Sequence, residues 1–217
     1  SKVFGSIGPR LEQARMERAR RNKADSLSAY DLYLRGLCSW NRWTKPDNAE
    51  AMLLFHAASK LDPEFATPVG LAASCHLMNK ANGWSTSFDR AEILQLVNRV
   101  LDIGMDDPIA LCWSGHVRAS FFGETSQGLS LIDRATELHV NLAVAWQRCG
   151  WVCAYAGLPD RAIASLVKAI RLNPLDPRIF LGQSAMAFAQ YLAGNDAEAA
   201  EWATKALRAK PNWPPAL

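Results

Sequence analysis

Residues 143–174 constrain the fold of this chain more than any other stretch, because their small and proline residues suit a pair of packed helices. Gly150 and Ala169 stand where two helices would touch, and only small side chains let helix backbones approach closely. Pro174 follows the second helix, where its missing N–H and fixed φ end a helix. This stretch therefore predicts one helical hairpin.

The second-helix spacing of this hairpin recurs along the chain. It recurs as Ala51, Phe55, Ala58 and Pro63, as Gly128, Ile132, Ala135 and Val140, and as Ala199, Ala203, Ala206 and Pro211. A more degenerate unit fills residues 66–105. Apolar residues recur mainly at three- and four-residue offsets and no alternating run of strand length competes, so an all-α fold is predicted. Asp107-Pro108 and Asp176-Pro177 mark two helix starts.

The best unit resembles a tetratricopeptide repeat (TPR), whose period is about 34 residues. The matching positions are Trp146, Cys149, Gly150, Cys153, Ala162, Leu166, Ala169 and Pro174, with Cys in place of the usual Leu and Tyr. The resemblance implies an α-α superhelix, a TPR solenoid of about five helix-turn-helix repeats with an N-terminal linker helix. The predicted parts are a basic linker over 1–24, repeats over 27–63, 66–105, 108–140, 143–174 and 177–211, and the start of a truncated further unit over 212–217.

Two short segments carry a more specific resemblance. AYDLYLR at 29–35 and LDPEFA at 61–66 look like the opening of the TPR region in bacterial multidomain signalling proteins. In those relatives the region lies carboxy-terminal to a class III adenylate or guanylate cyclase domain, or to a winged-helix DNA-binding domain. No cyclase metal carboxylates or winged-helix pattern maps onto this chain. The resemblance implies the sensor or scaffold region of a larger regulator.

Charge is concentrated at the amino end, where residues 1–23 hold seven Lys or Arg against two Glu. Such a segment attracts nucleic acid or anionic membranes, but it lacks the interleaved aromatics of a single-strand binding surface. We favour a charged linker helix that does not bind nucleic acid. No apolar run of about 18 residues occurs and the amino end lacks an apolar signal region, so no membrane span and a cytoplasmic location are expected.

The chemistry-bearing residues do not predict a catalytic centre. Four of the five cysteines are spaced 37 residues apart but fall at different places within their units, so we expect reduced, buried thiols rather than a metal site. The four histidines are scattered, no Ser lies in a nucleophile elbow, and no glycine-rich phosphate loop is present. We expect no enzyme activity, no cofactor and no metal.

The TPR resemblance implies that the first helices of the repeats line a concave groove. The candidate groove residues are Trp113, His116, Gln147, Arg148, Trp151 and Tyr155, with Tyr33 and Trp40 in the first repeat and Arg178 and Phe188 in the last. This surface is aromatic and apolar with few cations, so it suits an apolar partner segment, with Trp113 and Trp151 as candidate hot spots. The pattern leaves open whether these aromatics hold an external segment or pack internally.

Two functions follow from this arrangement. The first is a noncatalytic protein-protein interaction module that binds a peptide segment in the concave groove. The alternative is a structural oligomerisation module, such as a homodimer, that sets the assembly of an upstream cyclase or DNA-binding domain. The sequence around Trp213 begins what would be another first helix, which motivates the second interpretation through an open carboxyl end.

Overall fold

A computed structural model describes the backbone of residues 7–216 and the side chains of residues 25–216. This part of the chain contains ten α-helices, a terminal 3-10 turn and no strand. The helices are α1 Ile7–Arg42, α2 Lys45–Leu61, α3 Ala66–Ala81, α4 Arg90–Ile103, α5 Pro108–Phe122, α6 Thr125–Leu138, α7 Ala143–Tyr155, α8 Pro159–Leu172, α9 Ile179–Leu192 and α10 Asp196–Ala209, and the turn is Pro214–Ala216. None of the helices within residues 7–216 combines the length and apolar character needed to cross a bilayer.

The helices form five consecutive antiparallel hairpins that stack side by side. Each even-numbered helix packs against the odd-numbered helix before it and, up to α8, against the one after it. Helices α3, α5, α7 and α9 also contact one another in sequence and form an inner layer. The predicted all-α superhelix of stacked hairpins is therefore confirmed, and we call the surface of the inner layer the concave face.

Small residues set the distances between these helices. A Cβ added to Gly150 would lie 2.6 Å from Leu166 Cδ2 across the α7–α8 hairpin. A Cβ added to Gly70 would lie 2.7 Å from the Cα of Ala110, where α3 crosses α5. The second contact involves backbone, which cannot rotate away as a side chain can, so this spacing between inner helices depends on glycine.

The turns inside the last four hairpins share one feature. Each contains a glycine at positive φ, where a Cβ is disfavoured. These glycines are Gly83, Gly123, Gly157 and Gly194. The first hairpin differs, because its two-residue turn places Trp43 at φ 54°.

One of the two predicted helix starts agrees with the structure and the other does not. Helix α5 begins at Pro108, and the Asp107 carboxylate accepts hydrogen bonds from the amides of Ile109 and Ala110, each at 3.0 Å. Helix α9 begins at Ile179 rather than beside Asp176, because residues 174–178 form a turn instead.

Helix α1 runs without interruption through the predicted boundary between linker and first repeat. Residues 1–6 and the side chains up to residue 24 lie outside the described part of the chain. The basic residues predicted for the linker are among them. The division of the chain into a linker and repeat units stays a prediction.

Candidate functional site

The concave face contains a cavity of about 440 Å³. Helices α3, α5 and α7 supply most of its wall, and α9, the turn after α1 and the segment after α10 supply the rest. Its lining residues are Trp43, Leu77, Met78, Lys80, Ala81, Trp113, His116, Ala119, Ser120, Arg148, Trp151, Tyr155, Leu181, Trp213 and Pro215. Tyr155 is 41% exposed, so the cavity reaches the surface there. A cavity of this size is within the range of small-ligand sites.

Aromatic rings form the α7 side of the cavity. Trp151 lies one helical turn before Tyr155, with ring centroids 5.8 Å apart, and stacks at 6.3 Å on the imidazole of His116. Phe188 on α9 packs behind both rings, 6.4 Å from Trp151 and 6.3 Å from Tyr155. This wall presents a large, rigid apolar surface, which suits contact with an apolar group.

Four further rings close the other side of the concave face, and we call them the aromatic clasp: Trp40, Trp43, Phe180 and Trp213. Trp43 lies 5.3 Å from Phe180 and 5.8 Å from Trp213, and Phe180 lies 5.1 Å from Trp213. Trp213 Nε1 also donates a 2.7 Å hydrogen bond to Ser184 Oγ on α9. The clasp thus joins the first hairpin, the last hairpin and the segment after it.

Arg148 lies at the base of the cavity with only 3% of its surface exposed. Its guanidinium stacks 4.5 Å from the ring centroid of Trp113, and its Nη2 donates to the Gln147 side-chain oxygen. Burial lowers the pKa of Arg148 from 12.5 to about 10, so the group still carries its charge at neutral pH. Among residues 25–216 no carboxylate forms an ion pair with it.

His116 contacts Arg148 and is equally buried, at 3% exposure. Burial, reinforced by the positive charges of Arg148 and Lys80, lowers the pKa of His116 well below its usual 6.5. The imidazole is therefore neutral at pH 7. Arg148 Nη1 lies 3.2 Å from His116 Nδ1, and a guanidinium can only donate, so Nδ1 accepts and the proton resides on Nε2.

Four of the five thiols are buried in the described part of the chain. Cys38 is exposed, while Cys75, Cys112, Cys149 and Cys153 are buried. Burial raises the pKa of Cys112 to about 12, which keeps this cavity neighbour protonated. Within residues 25–216 no group of three or more His, Cys, Asp or Glu side chains is arranged to hold a metal ion.

The structure brings five of the ten sequence-predicted groove residues to the cavity wall. These are Trp113, His116, Arg148, Trp151 and Tyr155. Phe188 supports that wall from behind. Trp40 belongs to the clasp, and the Arg178 guanidinium packs 4.3 Å from its ring centroid.

The other two predicted groove residues lie away from the cavity. Gln147 faces α9, with its Nε2 3.3 Å from the position of a Cβ on Gly182. Tyr33 packs 5.2 Å from Phe65 and 6.5 Å from Phe55, in the interface between the first two hairpins.

Among the aromatic residues that line the cavity, Trp43 and Trp213 have no counterpart in the sequence prediction. Trp213 is 2% exposed and occupies the concave face instead of opening another helix, because the prolines that follow it shape a 3-10 turn. The concentration of Trp and Pro at 211–215 was the available signal for an ordered terminal segment.

Stacked antiparallel hairpins around a concave inner layer define a helical-repeat solenoid. No protein-family model and no curated protein matches this sequence. Among solved structures, TTC0263, a thermophilic TPR protein of Thermus thermophilus, aligns at 20% identity over 85% of this chain and 92% of its own, with a TM-score of 0.63.

Two further solved structures align over similar lengths. PilW, a widely conserved type IV pilus biogenesis factor, aligns at 18% identity over 87% of this chain and 77% of its own, with a TM-score of 0.58. A MamA fragment from Desulfovibrio magneticus aligns at 14% identity over 86% of this chain and 95% of its own, with a TM-score of 0.51. These similarities identify the solenoid as a TPR fold. At such identities they show the fold alone, and the resemblance to cyclase and winged-helix regulators stays a prediction.

Proposed function

We propose that this chain is a noncatalytic protein-interaction module that holds an apolar segment of a partner protein at its concave face. The observation that carries the proposal is the aromatic wall of Trp151 and Tyr155 beside a cavity of about 440 Å³. Rigid aromatic side chains at the centre of a concave surface supply much of the binding energy in many protein interfaces. The partner segment inserts a large apolar side chain between this wall and Leu77 on α3.

The wider role that we propose is the sensor or scaffold region of a larger signalling protein, with residues 1–24 as the linker to an upstream domain. The continuous helix α1 supports this role, because a helix that starts before the first hairpin can connect a repeat region rigidly to a preceding domain.

The test is a selection of phage-displayed internal peptides, each about 12 residues long, against the folded chain, followed by affinity measurement. We expect enrichment of peptides with Trp, Phe or Leu, and a loss of affinity of about 30-fold or more for Trp151→Ala. Trp146→Ala is the matched control, since Trp146 lies on the same helix but donates to the Val140 carbonyl and does not line the cavity.

Ser120→Trp provides a second variant that fills the cavity without removing core packing, because Ser120 is half-buried at its wall. It should block the selected peptides while circular dichroism shows an intact fold. Selected peptides that bind wild type, Trp151→Ala and Ser120→Trp equally would refute the proposal.

A second candidate function is self-association through α1, and one observation favours it. Leu27, Tyr30 and Leu34 are exposed and lie at helical spacing on one face of that helix. Light scattering tests this candidate: if α1 forms a dimer, the Leu27→Ser/Leu34→Ser variant is monomeric, while Leu53→Ser, an exposed leucine on α2, has no effect. A wild-type monomer at high concentration rules it out.

A further inference from the structure

The base of the cavity holds a positive charge that forms no ion pair with a carboxylate in the described part of the protein. Arg148 is almost fully buried, yet its named partners are a neutral imidazole, an amide oxygen and an indole ring. Its Nε is buried and has no hydrogen-bond partner among residues 25–216. A buried cation without a paired anion is costly, so an anion that reaches this position would gain strongly.

A second donor lies beside the first. Because His116 Nδ1 accepts from Arg148, its Nε2 carries the proton, and this atom is also buried without a partner in the described part of the chain. The site therefore offers a charged N–H and a neutral N–H on neighbouring helices, α5 and α7. The two N–H groups point in different directions, because Nδ1 and Nε2 lie at opposite edges of the imidazole, so a carboxylate would bind the guanidinium and His116 would hold that guanidinium in place.

The electrostatics of the remaining wall point the same way. Lys80 is the other charged residue among those that line the cavity, and no Asp or Glu lines it. Lys80 is exposed, so its ammonium lies at the rim while Arg148 lies at the base. Such an arrangement attracts an anion and opposes a cation.

The rest of the wall is apolar and accommodates the body of the ligand. Trp151 and Leu77 contribute to this wall from α7 and α3, and Trp43, Trp213 and Pro215 line it near the clasp. A carboxylate bound at Arg148 would therefore extend an aromatic or aliphatic group along the ring of Trp151. A cavity of about 440 Å³ is large enough for such a ligand.

We propose that the cavity binds a low-molecular-weight organic acid, with its carboxylate on the Arg148 guanidinium and its aromatic or aliphatic body against Trp151. This inference goes beyond the proposed function, because it assigns a free small molecule rather than a partner protein to the base of the cavity. Binding of the acid brings the missing negative charge to Arg148, and it competes with an inserted partner side chain.

Isothermal titration calorimetry of the full chain with 1-naphthylacetate and 1-naphthylacetamide tests the proposal, since the two probes share a body and differ in charge. We expect the acid to bind at least about tenfold more tightly than the amide, as a charge-assisted hydrogen bond predicts. In Arg148→Met the two probes should bind equally, and in Ser120→Trp neither should bind. Arg161→Met, which alters an exposed arginine on α8, should keep the wild-type preference.

Three outcomes would overturn the inference. They are equal binding of acid and amide to wild type, no binding of either, and a preference that survives in Arg148→Met. A further titration uses two forms of a peptide that ends in Trp, one with a free terminal carboxylate and one with a terminal amide. If the carboxylate peptide binds and 1-naphthylacetate does not, the site belongs to a protein terminus and the small-acid proposal is wrong. Selection of internal peptides does not depend on a carboxylate, so failure here leaves the proposed function to its own test.

Discussion

Replacing Arg148 with methionine should make the unliganded protein more stable. In the folded protein the guanidinium is 3% exposed, and burial lowers its pKa from 12.5 to about 10. At pH 7 the arginine is protonated in both the folded and the unfolded chain, so the difference between the two pKa values corresponds to the destabilisation of the charged side chain relative to a neutral one. That cost is about 3 kcal/mol.

Part of this gain is lost with the contacts of the guanidinium. Stacking on Trp113 at 4.5 Å contributes about 1–2 kcal/mol in a desolvated site. Methionine is unbranched and of similar length, so it can fill the space beside His116. We therefore expect a net increase of about 1–2 kcal/mol in the free energy of unfolding, and a melting temperature higher by about 3–6 °C for a chain of this size.

Urea unfolding at pH 7 and thermal melting measure the change. Arg161→Met serves as the control, because Arg161 is half-exposed and pairs with Asp133 at the surface, where an ion pair is worth about 0–1 kcal/mol. Arg148→Lys keeps the buried charge and should give no gain. If Arg148→Met lowers the stability by more than about 1 kcal/mol while the Arg161 control does not, Arg148 is a net stabilising group and the reasoning about an unneutralised charge fails.

Three further predictions concern the clasp, the histidine and the thiols. Trp213→Ala should cost about 3–5 kcal/mol of unfolding free energy in urea titrations, and Trp213→Phe, which keeps most ring contacts, should cost less. Burial holds the pKa of His116 below 6.5 in the folded protein, so the unfolded chain takes up a proton first on acidification. The free energy of unfolding should therefore fall below pH 6.5 by up to about 1.4 kcal/mol per pH unit. In pH-dependent melts, His116→Gln should reduce that slope. Ellman's reagent should modify one thiol, Cys38, in the native protein and all five after denaturation.

The sequence was sufficient to predict the solenoid, and five of the candidate groove residues that it grouped together line the cavity. Once Trp146 and Gly150 set the register of α7, helical periodicity placed Arg148, Trp151 and Tyr155 on the opposite surface. The same spacing in the preceding hairpin brought His116 beside them. Local periodicity determines these positions, so a single sequence was enough.

The clasp could not be predicted in the same way. Trp43 lies in a two-residue turn at φ 54°, and Trp213 lies beyond the last periodic helix. Their contact depends on how five hairpins curve together, and small angles between hairpins add up to a geometry that no local pattern encodes. Tyr33 lies away from the cavity, since its ring packs against Phe65 at the start of the second hairpin.

The clasp also changes how such a chain is expected to come apart. In an ordinary linear array each repeat touches only its neighbours, so terminal repeats can fray while the middle stays folded. Here the contacts of Trp43 with Phe180 and Trp213 link hairpins that are far apart in sequence. Unfolding of either terminal hairpin therefore removes contacts from the other, so the two ends are expected to unfold together rather than independently.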